Sequence, residues 1–451
     1  PIMASVWFWW NHLAASLPWI TTVEATSSSN SSWTYRSAGR WEVPRALEVA
    51  KNGNLLVAGD SRGEFEGFQN RGERDVFIMA FNDSGHPLWT QQRGSNNDDY
   101  AMALGVDSKG ELILAGYTGG SLDGMTHHGV DDIFVMKFDA LGTWLWTHQR
   151  GTRFEDRITC IQVSSDDHLV VAGHSKGKLD ENVNFGDADL FIMRLDSQGV
   201  WQWTRQRGSK GYDYVAALHL DDTGASHLVG FTSGSLDGHL NSGSDDLFAM
   251  HLAMDGTWRW TQQRGTRYQD RATAMVVMGE EMYVTGYTKG SLDGISHGDA
   301  DFFLMKLVSA SGEHLWTRQV GSRHFDAAMA VGIWMSEVLV LGRTQGSIGS
   351  PNKGMDDILI QFFDPNGTEL RAQQTGSSGA DSGTALLVTG DQAYLAAYVG
   401  HHAELFISTL SDLPSELVSL AQTGSKFSRI LAVWIVFTTV FANGHCGPWR
   451  E

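Results

Sequence analysis

Trp89-Thr-Gln-Gln-Arg-Gly94 decides the fold, because it returns along the chain at a nearly constant interval. It recurs as Trp146-Thr-His-Gln-Arg-Gly151, Trp203-Thr-Arg-Gln-Arg-Gly208, Trp260-Thr-Gln-Gln-Arg-Gly265 and Trp316-Thr-Arg-Gln-Val-Gly321, spaced 57, 57, 57 and 56 residues apart. A weaker copy opens the array at Trp33, and a decayed one, Arg371-Ala-Gln-Gln-Thr-Gly376, follows Trp316 after 55 residues. A second landmark, an acidic residue before an apolar run, gives the same count of seven. It reads Asp75-Val-Phe, Asp132-Ile-Phe, Asp189-Leu-Phe, Asp246-Leu-Phe, Asp301-Phe-Phe, Asp357-Ile-Leu and Glu404-Leu-Phe. A third series, Glu42, Asp99, Asp156, Asp213, Asp270, Asp326 and Asp381, keeps the same register. A period of this length belongs to a repeat architecture.

Each period holds four strand-like runs. In the second copy they cover 100–107, 111–118, 132–139 and 143–150, with short turns in the first and last connections and a Gly- and Asp-rich loop at 119–131. The runs are short and rich in Val, Ile, Phe, Tyr and Trp. Leu112-Ile-Leu-Ala115 and Ile133-Phe-Val-Met136 are continuously apolar, which predicts strands buried on both faces. Four antiparallel strands repeated seven times predict an all-β, seven-bladed β-propeller. With strands lettered A to D outward from the axis, the array begins on a D-type run at 33–37 and ends on an A-B-C set near 381–410. The N-terminal run is therefore expected to complete blade seven and close the ring, removing exposed edges.

The pattern Gly-Tyr-Thr-x-Gly-Ser-Leu-Asp-Gly, then Asp-Asp-x-Phe-x-Met-Lys, then Gly-x-x-x-Trp-Thr-x-Gln-x-Gly resembles the SBBP-type β-propeller repeat. The resemblance spans 33–412. It implies a propeller of the kind common in secreted or surface proteins, and it brings no established catalytic residues. Copy seven departs from the pattern by losing the Trp, the Ser-Leu-Asp-Gly loop and the Asp pair.

The chain has 451 residues, with 33 basic and 52 acidic side chains and a net charge of −19. Such a surface repels phosphate backbones and excludes nucleic acid as a partner. Two cysteines, Cys160 and Cys446, make neither a disulfide framework nor a cysteine-rich zinc site. Gly at 51 against Pro at 8, beside 17 Trp, fits tight turns between aromatic-rich strands.

Residues 1–32 read as a signal peptide and Ser-rich linker: 6–20 is apolar and aromatic, and Val23-Glu-Ala25 offers small residues for a signal peptidase. The leader lacks a basic n-region, and the competing reading is an apolar segment without a targeting role, which leaves the chain cytoplasmic. In the tail, 413–451, residues 430–442 are uncharged and mostly apolar. That is shorter than the roughly 20 residues of a membrane span. A short membrane anchor ranks ahead of a cleaved anchor signal or a docked helix. Asn30, Asn82 and Asn366 stand in glycosylation sequons, which matter if the chain is secreted.

The D-to-A and B-to-C connections fall on one rim of every blade, which predicts an acidic, loop-rich face. Its carboxylates are Asp99, Asp123, Asp132, Asp156, Asp180, Asp189, Asp213, Asp237, Asp246, Asp270, Asp293, Asp301 and Asp357. One chemistry for them is calcium, and Asp187 with Asp189 and Asp299 with Asp301 are the candidate ligand pairs. No full Asp-x-Asp-x-Asp-Gly loop occurs, so turn capping and pairing with Arg93, Arg150, Arg207 or Arg264 is preferred, and no cofactor is expected. The tryptophans at i and i+2 (Trp144/Trp146, Trp201/Trp203, Trp258/Trp260) share a strand face and read as packing between blades before sugar stacking. His127-His128 and His401-His402 lack metal-ligand spacing.

No nucleophile–base motif, phosphate loop or dinucleotide fingerprint appears. The preferred reading is a non-catalytic binding or scaffold module at the cell exterior, taking a protein or glycan ligand on the acidic face. The alternative is a propeller enzyme (a hydrolase, lyase or quinone-dependent dehydrogenase) acting at the axis. Enzymes need asymmetry, and the visible irregularities are Glu42, Arg343 in place of Tyr117, and Ser382 in place of Tyr100.

Overall fold

A computed structural model describes residues 23–26, 32–36, 42–390, 392–400 and 404–410. Seven antiparallel sheets follow one another along the chain, each in the order A-B-C-D. In blade two the strands are Asp99–Val106, Leu112–Thr118, Asp132–Phe138 and Trp144–Arg150. Blades one to six occupy residues 42–93, 99–150, 156–207, 213–264, 270–320 and 326–375.

Blade seven takes its first three strands from Ser382–Thr389, Gln392–Val399 and Glu404–Thr409. Its fourth is the N-terminal Ser32–Arg36, which pairs antiparallel with strand C through Thr34↔Ser408, Tyr35↔Ile407 and Arg36↔Phe406. The expected ring closure is therefore present. Tyr35 is buried and meets Phe81 of blade one edge-on, centroids 4.8 Å apart, so the closing strand also fastens blade seven to blade one. Val23–Thr26, which holds the small residues at 23–25, adds a fifth strand outside it.

Strands B and C form the core. Every residue of Asp132–Phe138 is buried, and the two faces serve different neighbours. Leu112, Leu114, Phe134 and Met136 pack toward blade one, while Ile113, Ala115, Ile133 and Val135 pack toward blade three. This explains the continuous apolar runs, since alternate residues face opposite blades and both faces are dry. Trp146 and Trp201 join one interblade cluster, Trp203 and Trp258 the next and Trp260 a third, so they pack between blades as expected. The expectation that each i, i+2 pair shares one face fails. A bulge between the two tryptophans turns Trp201 and Trp203, and Trp258 and Trp260, to opposite sides of the blade.

Each strand A carries a bulge at one position, between Ala101 and Ala103 in blade two. There the Tyr100 carbonyl turns toward Gly116 of strand B, and a Cβ on that glycine would lie 1.9 Å from the oxygen. The glycine of the repeated Gly-Tyr pattern is required by this close approach.

Residues 6–20, Asn30, Cys446 and the 430–442 segment lie outside the described residues. Asn82 and Asn366 lie in C–D turns, on the rim opposite the long loops. Among the described residues no helix is long and apolar enough to cross a membrane.

Candidate functional site

The three sequence landmarks meet at one place in each of blades one to six. Asp132 begins strand C, is fully buried, and accepts the backbone N–H of His128 and the Nε2–H of Gln149, both at 2.9 Å. The same Gln149 accepts the Leu122 N–H at 3.0 Å and donates to the Gly120 carbonyl at 2.9 Å. The glutamine of the Trp-Thr-x-Gln motif thus ties the long B–C loop to the blade. Gly151, next but one to it, leaves room for Oδ1 of Asp132, which would lie 2.2 Å from a Cβ there. The arrangement recurs at Asp189 with Gln206, Asp246 with Gln263, Asp301 with Gln319 and Asp357 with Gln374.

The acids that open strand A sit against the acid of the preceding strand C. Asp99, Asp156, Asp213, Asp270 and Asp326 are fully buried and cap the D–A turn, each accepting the N–H of the residue four earlier. Gly94 separates Asp75 from Asp99: its Cβ would lie 2.1 Å from Oδ1 of the first and 2.9 Å from Oδ2 of the second. Burial, with the neighbouring carboxylate adding to it, pushes Asp99 up to about 7 and Asp213 up to about 6 against the donors that favour the anion. Asp156, Asp270, Asp326 and Asp381 shift upward for the same reason.

Nine of the thirteen carboxylates of the expected acidic face are thus enclosed: Asp99, Asp132, Asp156, Asp189, Asp213, Asp246, Asp270, Asp301 and Asp357. Asp123, Asp180, Asp237 and Asp293 stay in the exposed B–C loops. The first three adopt positive φ and bridge to Arg93, Arg150 and Arg207 of the preceding blade. Those arginines also lie over Trp144, Trp201 and Trp258 at 4.6, 5.2 and 4.9 Å, so each clamps two blades together. Asp293 accepts the Gln319 N–H at 2.9 Å. Of the calcium candidates, Asp187 and Asp299 are exposed, while Asp189 and Asp301 are buried and held by amide donors. Asp299 shares a depression with Lys289 and Arg343, two cations that compete with calcium for it.

The non-repeating chemistry lies elsewhere, where strand A begins and strand B ends around the axis. The register places Tyr100 beside Tyr117, Arg157 beside His174, Tyr214 beside Phe231, Arg271 beside Tyr287 and Ala327 beside Arg343. These side chains stack from blade to blade. Arg157 lies 5.0 Å over Tyr117, His174 is 4.9 Å from Tyr214, Arg271 lies 4.2 Å over Phe231 and Arg343 lies 5.1 Å over Phe325. The carboxylates among them are paired: Asp60 with Arg45 at 2.9 Å, Asp131 with Arg157 at 2.6 Å, Asp245 with Arg271 at 2.6 Å and Asp356 with Arg343 at 3.4 Å. Burial holds His174 neutral, down to about 3.

A cavity of about 570 Å³ opens in this mouth between blades four, five and six. Tyr212, Tyr214, Phe231 and Tyr287 form its aromatic wall, with the Asp245–Arg271 pair and Met329 beside them. Sequence reasoning singled out Arg343 and Ser382 here but missed the aromatic wall. Its signal was the variability itself, since these positions change from copy to copy while their neighbours repeat.

No family model matches the chain. It is 28% identical over 192 residues to the regulatory protein FlaEY of Caulobacter vibrioides, covering 39% of this chain and 20% of that protein. It is 22% identical over 205 residues to an uncharacterized WD repeat-containing protein of Acanthamoeba polyphaga mimivirus, covering 36% and 14%. Among solved structures it is similar to the WD40 propeller domain of Doa1 (TM-score 0.49, 9% identity, 87% of this chain and 99% of that one). It is also similar to the polysaccharide lyase Uly1 (TM-score 0.47, 10% identity, 88% and 94%).

Proposed function

We propose that the protein is a non-catalytic binding module and that its ligand, a glycan, seats in the axial mouth. The observation that carries this reading is the cavity between blades four, five and six. Aromatic rings line it beside a carboxylate and a guanidinium that already neutralise each other, the guanidinium lying over Phe231, which stacks in turn on Tyr214. A sugar ring offers apolar C–H faces for stacking and hydroxyls that both donate and accept, and it carries no charge for the site to balance. The cavity volume lies within the usual range for small-ligand sites, roughly 300–1,000 Å³. On this reading the chain works at the cell exterior, in keeping with the apolar segments near its two ends.

A general base at the axis would need a carboxylate or imidazole free to take a proton. Asp60, Asp131, Asp245 and Asp356 are each engaged by an arginine and His174 is enclosed, while Asp98 accepts only the Tyr100 hydroxyl among the described residues, at 3.3 Å. The enzyme reading keeps one further observation on its side: Asp60, fully buried against Arg45 and Arg74, has no counterpart in the other blades. The test is a glycan array on the purified chain, with bound oligosaccharides recovered and weighed by mass spectrometry. Intact recovery supports the binding module; fragments support the enzyme; an array without binding above background sinks the glycan reading.

A further inference from the structure

Blade four carries a row of histidines that no other blade has among the described residues. The register pairs His219 on strand A with His227 on strand B, His227 with His251 on strand C, and His251 with Trp260 on strand D. The same rung in blade two reads Gly105, Ile113, Lys137 and Trp146. There Lys137 neutralises an acid of the A–B turn, with Nζ 2.8 Å from Asp107. Blade three does so with Arg194 and Asp166 at 3.1 Å, and blade five with Lys306 and Glu281 at 2.6 Å. Blade four keeps the acid, Asp221, and puts His251 where the cation belongs.

Three potential ligand atoms come close together here. The rings of His227 and His251 are parallel within 2°, centroids 4.4 Å apart. Oδ1 of Asp221 is taken up by its own turn, accepting the N–H groups of Thr223 at 2.8 Å and Ala225 at 3.0 Å. Oδ2 is left facing Nε2 of His227 at 3.8 Å. One ligand atom from each of the three residues lies within 4.8 Å of the others. His227 is only 2% exposed, and its Nδ1 and both nitrogens of His251 lack a hydrogen-bond partner among the described residues. Buried polar atoms are ordinarily satisfied, so three orphaned nitrogens in one cluster point to a missing partner.

We propose that Asp221, His227 and His251 hold one first-row divalent cation, of which zinc is the best fit, between blades four and five. Two imidazoles and a carboxylate suit zinc and do not suit calcium. The cation would supply the positive charge that lysine or arginine supplies in the neighbouring blades. Burial holds both imidazoles in the neutral form that ligates, with His227 down at about 4 and His251 also lowered. Tetrahedral zinc wants ligand atoms about 3.4 Å apart and in the plane of each imidazole. On binding, the side chains therefore close by about an ångström and one of the two stacked rings turns to aim its nitrogen at the ion. His219, with its ring 6.4 Å from that of His227, stands outside the set, and water takes the fourth position.

The test is a calorimetric titration of the metal-stripped full chain with zinc chloride, with melting curves recorded alongside. The wild type is expected to take up one equivalent and to melt higher with zinc, because a ligand of the native state stabilises by mass action. His251→Lys rebuilds the blade-two arrangement, and His251→Gln keeps the bulk without the ligand. Each is expected to melt cooperatively and to bind zinc at least 100-fold more weakly, while His324→Gln, an exposed histidine elsewhere, binds as wild type. A wild type that takes up no equivalent overturns the site. So does unchanged uptake in either folded His251 variant.

Discussion

A Cβ placed on Gly151 would lie 2.2 Å from Oδ1 of Asp132, so the glycine of one repeated landmark exists to admit the aspartate of another. Two motifs that look independent in the sequence are the two halves of one packed contact. Gly151→Ala is expected to destabilise by about 1–3 kcal/mol through overpacking. In the double variant with Asp132→Ala the clash disappears, so the combined cost should fall below the sum of the two single costs. Denaturant unfolding of the four proteins measures this. Strict additivity would show that the two residues do not share the space.

The buried strand-C aspartates accept protein donors on Oδ2. Oδ1 of Asp132, Asp189, Asp246, Asp301 and Asp357 stands beside a glycine with no hydrogen-bond donor among the described residues. The expectation is that the donors to Oδ2 suffice without a cation. Asp246 accepts the Ser242 N–H at 2.8 Å and the Gln263 amide at 3.0 Å. Removing it in Asp246→Ala strands both donors and should cost about 1–3 kcal/mol. Adding calcium to the metal-free protein should leave the melting temperature of wild type unchanged. A calcium-dependent rise that vanishes in Asp246→Ala would make these residues ligands instead.

The strand-A aspartates should contribute to stability with a pH dependence opposite in sign to that of an ordinary salt-bridged acid. Asp99 and Asp213 have folded values near 7 and 6, above the unfolded value of about 3.9. The native state therefore holds protons that the unfolded chain has released. The stabilisation is complete below about pH 4 and is lost as pH rises through 6 to 7. The buried neutral His174 and His227 act with the opposite sign below about pH 6.5, so the test is a difference. Asp99→Asn, which carries no titrating proton, should make the melting temperature rise more, or fall less, than wild type between pH 5 and pH 7. A slope unchanged in Asp99→Asn would locate the dependence in other groups.

Ring closure rests on Ser32–Arg36, whose Tyr35 packs into blade one. Deleting residues 1–40 should open the ring and lower the melting temperature by on the order of 10 °C. An identical melting curve would refute closure through this strand.

The period, the blade count and the closing strand were legible in the sequence because repetition multiplies a weak pattern sevenfold. The fate of the aspartates was less so. Asp132 and Asp99 read as surface acids on residue type alone, and only the strand pairing shows that Gln149, turn amides and a glycine gap enclose them. The axial wall was hidden for the converse reason. Tyr214, Phe231 and Tyr287 sit where the copies differ, and such differences look like decay of the repeat until the axis brings them together. The histidine row is similar: His219, His227 and His251 are scattered in sequence and become neighbours only through the register.

The most direct test of the binding account is a calorimetric titration of the array's best oligosaccharide into wild type, Phe231→Ala and Trp144→Ala. Phe231 forms part of the aromatic wall of the axial cavity, whereas Trp144 lies 38% exposed on strand D. Loss of a stacked aromatic at a binding centre commonly costs 1 kcal/mol or more, about a fivefold to tenfold weakening. The account predicts that weakening in Phe231→Ala, with Trp144→Ala binding as wild type. Full affinity in a folded Phe231→Ala, with affinity lost in Trp144→Ala, would move the ligand off the axis and contradict it.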